Sequence, residues 1–341
     1  MRSLVITTAA LVVAAFTSAQ AQYKVINTAK VGGDGGFDYV TADSEGRRLY
    51  VGRSGATGSL HVYNLDTLAP IGEVPLGSSH GATVDPSNHH GFATSKPVTM
   101  FDAESLKIIK TIDTGGNPDG YLLDAANHRF YVLSHSAPQI VALDTTTGDI
   151  AGTLTLDGAP EQSALDGHGK MFVDLEDKDA IAVVDVKTLK LITTYDIKSA
   201  GGGCAGLAMD AKNGILFASC RDKNNMIIVN AATGKIITTL PTGQGSDGAV
   251  FNPATMEAFS SQGDGTLTIV KETSPTTFAV EQTVKTPVRA KTLTLDSKTG
   301  NIYLITAEFG AAPAPAPGAP AGRPARPPMI PGSFTIVVVG K

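Results

Sequence analysis

The chain has 341 residues, of which 42% are hydrophobic, 17% charged and 6% aromatic, and its 37 glycines and 19 prolines make up about one residue in six. This composition is typical of a folded, loop-rich β protein and excludes a disordered tail, a coiled coil and a helix bundle. Two cysteines are too few for a dense disulfide scaffold or a cysteine-rich zinc module, and a formal net charge of −5 without a basic block argues against nucleic acid as a partner.

The first predicted element is a cleaved secretory signal at residues 1–21. Arg2 precedes the apolar run Leu4–Phe16, and Ala19 and Ala21 form an Ala-x-Ala cleavage site before Gln22. This run of 13 residues is shorter than the roughly 20 that span a bilayer, so no membrane span is expected. The alternative, an N-terminal core strand, is disfavoured because no comparable apolar run recurs. We therefore expect a secreted or periplasmic mature protein.

From residue 22 onward the chain repeats a short apolar run that ends in Asp or Asn. Successive end residues, here called anchors, lie 42, 39, 42, 44, 42 and 44 residues apart. A period in the low forties, with about four short strands per unit, is typical of β-propeller blades. The sequence predicts an all-β, seven-bladed propeller of four-stranded blades with almost no helix, forming a single domain over residues 22–341. The anchors are Asp43, Asp85, Asp124, Asp166, Asp210, Asn252 and Asp296.

The two ends of the chain predict how the ring closes. Tyr23–Thr28 has the character of a fourth strand with no unit before it, whereas the last unit stops after its third strand, Phe334–Val339. Pairing of these segments would complete the last blade and leave no open edge. We expect deletion of Gln22–Lys30 to destabilise the ring far more than trimming of an ordinary terminus.

Several blades share a short signature around their second strand. It appears as Tyr50-Val51-Gly52-Arg53, Tyr131-Val132-Leu133-Ser134 and Tyr303-Leu304-Ile305-Thr306, with Asn117-Pro118-Asp119-Gly120 before one strand and Leu143-Asp144-Thr145-Thr146-Thr147-Gly148 after another. These segments resemble the YVTN-type (YncE-like) β-propeller repeat of secreted bacterial proteins, over nearly all of the mature chain. The resemblance implies the fold and no common catalytic motif. Blade six departs from it, with Glu257-Ala258-Phe259-Ser260 where a Tyr-Val pair is expected.

The two cysteines belong to one predicted hairpin. Cys204 begins the first strand of blade five, and Cys220 ends the second. If Lys212 and Asn213 form the centre of the turn, the register places the cysteines almost opposite each other. Together with an oxidising compartment, this favours a disulfide over two buried thiols.

A Pro/Ala-rich insertion, residues 311–332, interrupts the last blade. It contains eight of the prolines and should form an extended, partly polyproline loop. A tolerated surface insertion is the simpler interpretation.

Candidate functional residues follow from propeller geometry. The first strand of each blade lines the central channel and begins on the face that also carries the loops between second and third strands. The residue five positions before each anchor should therefore lie at the channel entrance, with the loop residues around it. These ring residues are Asp38, His80, Asp119, Glu161, Ala205, Asp247 and Lys291, and the loop residues are Arg53, His135, Glu176, Arg221 and Glu308.

Two interpretations of this ring remain open. Asp38, His80, Asp119, Glu161 and Asp247 could hold a divalent cation or a cationic ligand, and crowded carboxylates would raise some pKa values. Alternatively, Asp-Gly at 119–120 and 247–248 is turn chemistry, and the family resemblance implies an acidic residue at this repeat position. The remaining turn histidines have no ligand spacing and are expected to be solvated on the opposite face: His89, His90, His128 and His168.

The leading functional hypothesis is a secreted or periplasmic binding module whose partner, a protein or a small molecule, occupies the entrance face. The sequence contains no nucleophile elbow, haem-attachment motif, phosphate-binding loop or dinucleotide fingerprint. One alternative is a metal-assisted hydrolase or lactonase that uses a divalent metal at the channel entrance and resembles the propeller lactonases in architecture. The other is a propeller subunit of a redox complex whose cofactor sits on a partner chain.

Overall fold

The computed structural model describes residues 21–311 and 327–341, so that most of the predicted signal and most of the insertion lie outside the described residues. Within them the chain forms a succession of short strands. In blades one to three and the preceding segment these are β1 Lys24–Lys30, β2 Gly36–Asp43, β3 Arg48–Ser54, β4 Leu60–Asn64, β5 Pro70–Val74, β6 Ser79–Asp85, β7 His90–Ser95, β8 Val98–Asp102, β9 Ile108–Ile112, β10 Pro118–Asp124, β11 Arg129–Ser134, β12 Gln139–Asp144 and β13 Ile150–Thr155. In blades four to seven they are β14 Pro160–Leu165, β15 Lys170–Leu175, β16 Ala180–Asp185, β17 Lys190–Asp196, β18 Cys204–Asp210, β19 Ile215–Cys220, β20 Asn225–Asn230, β21 Ile236–Pro241, β22 Ser246–Asn252, β23 Glu257–Gln262, β24 Thr266–Ser274, β25 Thr277–Lys285, β26 Thr292–Leu295, β27 Ile302–Thr306 and β28 Thr335–Gly340.

These strands form seven four-stranded antiparallel sheets, which confirms the predicted seven-bladed propeller. Six blades take four consecutive strands each, from β2–β5 to β22–β25, and the seventh has the order β1-β28-β27-β26. In the described part of the chain, two three-residue 3-10 turns, Ala125–Asn127 and Glu176–Lys178, are the only helical segments. No helix there is long and apolar enough to cross a membrane.

Burial follows the position of each strand in its blade. The second strands β19 and β23 are buried along their whole length, because both faces of a blade pack against neighbouring blades. The outer strand β17 is mostly exposed. The cores therefore lie between blades: Phe172 and Ile181 of blade four pack in one apolar cluster with Leu207 and Leu216 of blade five. Full burial of such a side chain contributes about 1.5–3 kcal/mol relative to leaving it exposed.

The ring closes as the sequence predicts. Strand β1 pairs antiparallel with β28, from Lys24 opposite Gly340 to Lys30 opposite Thr335. The predicted cysteine pairing is confirmed as well, since Cys204 and Cys220 are register partners across β18 and β19 and form a disulfide. Strand ends differ from the predicted ones by about one residue.

Candidate functional site

The channel entrance is built by the beginnings of the first strands. The first strands of neighbouring blades contact one another around the whole ring. The predicted ring residues lie within the first three residues of β2, β6, β10, β14, β18 and β22, and Lys291 immediately precedes β26. Seven positions with the same place in the repeat thus lie at the starts of the first strands.

A β-bulge marks the ring position in six blades. The register between the first and second strands shifts across the ring residue, and such a bulge turns a side chain away from the regular alternation of its strand. Because each ring residue lies at the bulge, the backbone sets its direction independently of the alternation farther along the strand. The shifts fall between Phe37 and Val40, Ser79 and Ala82, Pro118 and Tyr121, Pro160 and Ser163, Cys204 and Gly206, and Ser246 and Gly248.

In four blades a glycine follows the ring residue, at positions 81, 120, 206 and 248. A Cβ on Gly206 would lie 2.6 Å from the carbonyl carbon of Gly248, and one on Gly120 would lie 2.7 Å from the carbonyl oxygen of Glu161. Real Cβ atoms do not approach backbone so closely. Glycine is therefore required for adjacent first strands to come together at the entrance.

Larger side chains at the equivalent positions of blades one and four reach across the channel beneath the ring. Tyr39 in blade one donates its hydroxyl to Glu161 Oε2 of blade four at 3.4 Å. Gln162 Oε1 in blade four accepts the backbone N–H groups of Leu207 and Ala249, in blades five and six, at 2.9 Å each. These two side chains therefore connect different blades immediately next to the ring residues.

Three ring residues from consecutive blades form what we call the first triad: Asp38, His80 and Asp119. His80 Nδ1 lies 2.7 Å from Asp38 Oδ2 and 3.2 Å from Asp119 Oδ1. The hydrogen bond to Asp38 raises the pKa of His80 in spite of its partial burial. Burial raises the pKa of Asp119, and the neighbouring imidazole opposes that rise. The imidazole is therefore held between two carboxylates, and all three side chains keep some contact with solvent.

Ring and loop residues form a second triad: His135, Glu161 and Glu176. His135 Nε2 lies 3.4 Å from Glu161 Oε1 and 3.2 Å from Glu176 Oε2. Burial, together with the hydrogen bond and negative charge of Glu176, raises the pKa of Glu161 to about 9. Burial opposes ionisation of Glu176 too, but Arg221 and hydrogen bonds from its neighbours lower its pKa. At neutral pH this geometry keeps Glu161 protonated beside an ionised Glu176.

Two cations occupy the other side of the ring. Arg221 forms ion pairs with Glu176 and Asp247, and its Nε donates to the carbonyl oxygen of Ser246 at 2.8 Å. Lys291 also pairs with Asp247. Burial raises the pKa of Asp247, and the charges of Lys291 and Arg221 oppose that rise. Asp247 is thus enclosed by two cations.

The five side chains considered together as metal ligands do not form one cluster. Asp38, His80 and Asp119 lie together, Glu161 belongs to the second triad, and Asp247 is taken up by its two cations. Within residues 21–311 and 327–341, the two triads are the groups whose donor atoms lie within 4.8 Å of one another.

Two of the loop residues do not reach the ring. Arg53 belongs to β3 and is fully buried, where it donates to the carbonyl oxygen of Asp34 at 2.6 Å and stacks at 4.0 Å over Phe334. Glu308 pairs with Lys30 of the outermost strand at 3.2 Å. Arg53 is buried between blades because the carbonyl groups of the turn from β1 into β2 need hydrogen-bond donors, which its guanidinium provides.

Three of the four turn histidines of the opposite face are exposed, as predicted, namely His89, His128 and His168, and His90 is partly buried. His90 Nδ1 lies 2.9 Å from the carbonyl oxygen of Thr145, and the Thr145 hydroxyl donates to buried Asp85 at 2.5 Å. His128 is about half exposed, with Nδ1 3.6 Å from Asp85 Oδ2. These contacts connect blades two and three and do not form a ligand cluster.

Comparison with known proteins places the chain among propellers. No family model matches it. The uncharacterised YncE proteins of Salmonella typhi and Salmonella typhimurium are each 30% identical over 127 residues, which cover 34% of this chain and 35% of each relative. The match thus spans about a third of these relatives. A chain in the crystal structure of a mitotic checkpoint complex superposes with a TM-score of 0.69 at 13% identity, over 89% of this chain and 95% of that one, and so shows the fold alone. The partial sequence similarity and the seven four-stranded blades together fit a YncE-like propeller.

Proposed function

We propose that this chain is a secreted or periplasmic binding module and that it binds a charged ligand at the entrance of its central channel. One observation carries the proposal: side chains from all seven blades bring the two triads, Arg221, Asp247 and Lys291 together at the channel entrance. A concentration of ionisable groups with perturbed pKa values is a mark of functional sites. The proposed secretion is supported by the apolar run and Ala-x-Ala site in residues 1–21.

The fold does not need this concentration of charge. The blades are joined by apolar clusters between their faces, and these clusters contain none of the charged ring residues. Partly buried charges lose hydration, and they recover it only through suitable partners. A bound ligand would supply such partners to the side chains that remain partly exposed, among them His80, His135 and Lys291.

Thermal shift measurements test the proposal with defined probes: Zn²⁺, Mn²⁺, Ca²⁺, lysine and citrate. At least one probe should raise the melting temperature of the mature protein, and Asp119→Asn or Arg221→Gln should abolish that rise. The matched control is Lys110→Gln, which removes an exposed ion pair with Asp149 on the outer rim. Each variant is compared with its own melting temperature without probe. Equal responses in ring and rim variants would refute binding at the entrance.

A second candidate function is metal-assisted hydrolysis, including that of lactones. The observation that favours it is the pair of carboxylate–imidazole–carboxylate triads at the channel entrance, since a metal there could activate water and a second carboxylate could act as base. Hydrolysis of p-nitrophenyl acetate and γ-butyrolactone in the presence of Zn²⁺ or Mn²⁺ tests this candidate. The activity should disappear in His80→Gln; activity that persists in that variant rules the candidate out.

A further inference from the structure

We propose that the first triad binds one first-row divalent cation of the zinc or manganese type. The inference rests on the proposed function, because it names the class of ligand that the entrance takes. An imidazole nitrogen with two carboxylate oxygens is a mixed donor set that suits Zn²⁺, Mn²⁺ and Fe²⁺ better than a set of oxygens alone. The site is distinct from a plain acidic cluster because His80 lies at its centre.

The distances fit such an ion. His80 Nδ1 is 2.7 and 3.2 Å from the nearest oxygens of Asp38 and Asp119, and all three donor atoms lie within 4.8 Å of one another. Ligands bonded at about 2.0–2.2 Å around one metal are roughly 3–3.5 Å apart. Small side-chain adjustments are therefore enough. Three protein donors would leave at least one coordination position open, and all three side chains are partly exposed to solvent.

The backbone holds the donors in place. Each comes from a different blade and sits at the bulge at the start of a paired strand. The Thr292 hydroxyl donates to the carbonyl oxygen of Asp38 at 2.6 Å and fixes the blade-seven side of the site. Donors fixed by the fold before binding reduce the ordering that binding requires.

The distribution of charge separates this half of the ring from the other. Among the described residues, His80 is the basic group in ion-pair contact with Asp38 and Asp119, whereas Arg221 and Lys291 are engaged by carboxylates of blades four and six. Two carboxyl groups therefore face a single imidazole there, and neither is in ion-pair contact with an arginine or a lysine of the described chain. A divalent cation would add positive charge on the side of the ring that lacks it.

The second triad provides an internal control, because it has the same donor types and a different neighbour. The guanidinium of Arg221 contacts Glu176, so a positive charge already occupies that side and would repel a metal ion. We therefore expect one bound cation per chain and expect the second triad to stay empty of metal.

Titration of the mature, EDTA-stripped protein with Co²⁺ tests the inference. Binding is measured by calorimetry and by the visible absorption of coordinated cobalt. Wild type and Glu176→Gln should bind one Co²⁺ per chain with similar affinity. Loss of a direct ligand in His80→Gln or Asp119→Asn should weaken binding beyond the roughly 10–100-fold that loss of an outer partner costs. Circular dichroism checks folding, and the near-isosteric Asp119→Asn keeps the test decisive if His80→Gln misfolds.

Three results overturn the inference: no Co²⁺ binding by wild type, unchanged binding in Asp119→Asn, or a stoichiometry of two. An equal loss in Glu176→Gln overturns the assignment to the first triad. Another outcome is that Co²⁺ does not bind while lysine or citrate still raises the melting temperature of the rim variant and not of the ring variants. That result refutes the proposed metal site and leaves the proposed binding function standing. If no probe distinguishes them, the proposed function fails as well.

Discussion

Replacement of Tyr23 by phenylalanine tests how the ring is held closed. The Tyr23 side chain is 5% exposed, and its hydroxyl donates to Glu257 Oε2 of blade six at 2.6 Å. Its ring packs edge to face on Phe259 with centroids 5.3 Å apart, and Lys341 Nζ lies 4.5 Å from its centroid. Lys341 also donates to Glu257 Oε1 at 3.0 Å. Both ends of the described chain therefore meet at one buried carboxylate, and phenylalanine removes the hydroxyl while retaining the ring contacts.

The magnitude follows from the type of bond. A hydrogen bond to a charged group contributes about 1.5–3 kcal/mol, and Glu257 is fully buried, so water cannot replace the lost donor. We expect Tyr23→Phe to lower the free energy of unfolding by about 1.5–3 kcal/mol. Tyr23→Ala also loses the buried ring and should cost about 3–5 kcal/mol or more. Deletion of Gln22–Lys30 removes the whole β1–β28 ladder and should have the largest effect.

Urea unfolding, followed by circular dichroism, measures these differences. The matched control is Tyr303→Phe, because Tyr303 is buried and its hydroxyl donates at 2.9 Å to a neutral acceptor, the carbonyl oxygen of Leu65. A neutral hydrogen bond contributes about 0.5–1.5 kcal/mol, so this variant should be the mildest. The reasoning is refuted if Tyr23→Phe costs no more than the control, or if the deletion leaves the urea midpoint unchanged.

The pH dependence of the Tyr23→Phe effect provides a further check. Burial tends to raise the pKa of Glu257, but hydrogen bonds from Tyr23, Thr255 and Lys341 outweigh it and lower the pKa below its usual value. A carboxylate with a lowered pKa stabilises the fold above its unfolded pKa, about 4.3, and loses that contribution as the pH falls through its folded pKa. The difference between wild type and Tyr23→Phe should therefore shrink in acid.

Three further predictions concern buried groups. Burial raises the pKa of Asp174, whose carboxyl oxygens have no hydrogen-bond partner in the described chain. Wild type should therefore lose up to about 1.4 kcal/mol of stability per pH unit above pH ~4, and Asp174→Asn should remove this loss. Melting temperatures of wild type and variant that change in parallel from pH ~4 to ~8 would contradict this. Replacing Cys204 and Cys220 by serine should cost about 3 kcal/mol for a separation of 16 residues, and reductant should add the mass of two hydrogens to wild type; an unchanged intact mass would mean that the disulfide is absent. Arg53→Met should cost about 2 kcal/mol by leaving turn carbonyls without a donor, and a variant as stable as wild type in urea would show that these bonds contribute little.

The blade pattern was readable from the sequence because it is local. Strand alternation, turn residues and the 39–44-residue anchor spacing act within a single unit, and each unit repeats them. The pairing of Cys204 with Cys220 followed from the register of one hairpin. Counting five residues back from each anchor selected residues that lie at the start of the first strand of each blade, or immediately before it in blade seven. The one sequence signal for the Tyr23 contact was weak: Glu257 begins the second strand of blade six, where blades one and three begin theirs with Arg48 and Arg129.

The division of the ring into two triads and a pair of cations was not predictable from the repeat. The contacts between ring residues depend on bulges and on the spacing of strands about 40 residues apart in sequence. These determine that His80 contacts Asp38 and Asp119. They also determine that Arg221 contacts Glu176 and not the first triad. The repeat pattern thus predicted the blades and the closure, and it proposed which residues line the entrance ring. The structure decided their partners, because a contact between blades depends on the closed geometry of all seven, and no single repeat contains that information.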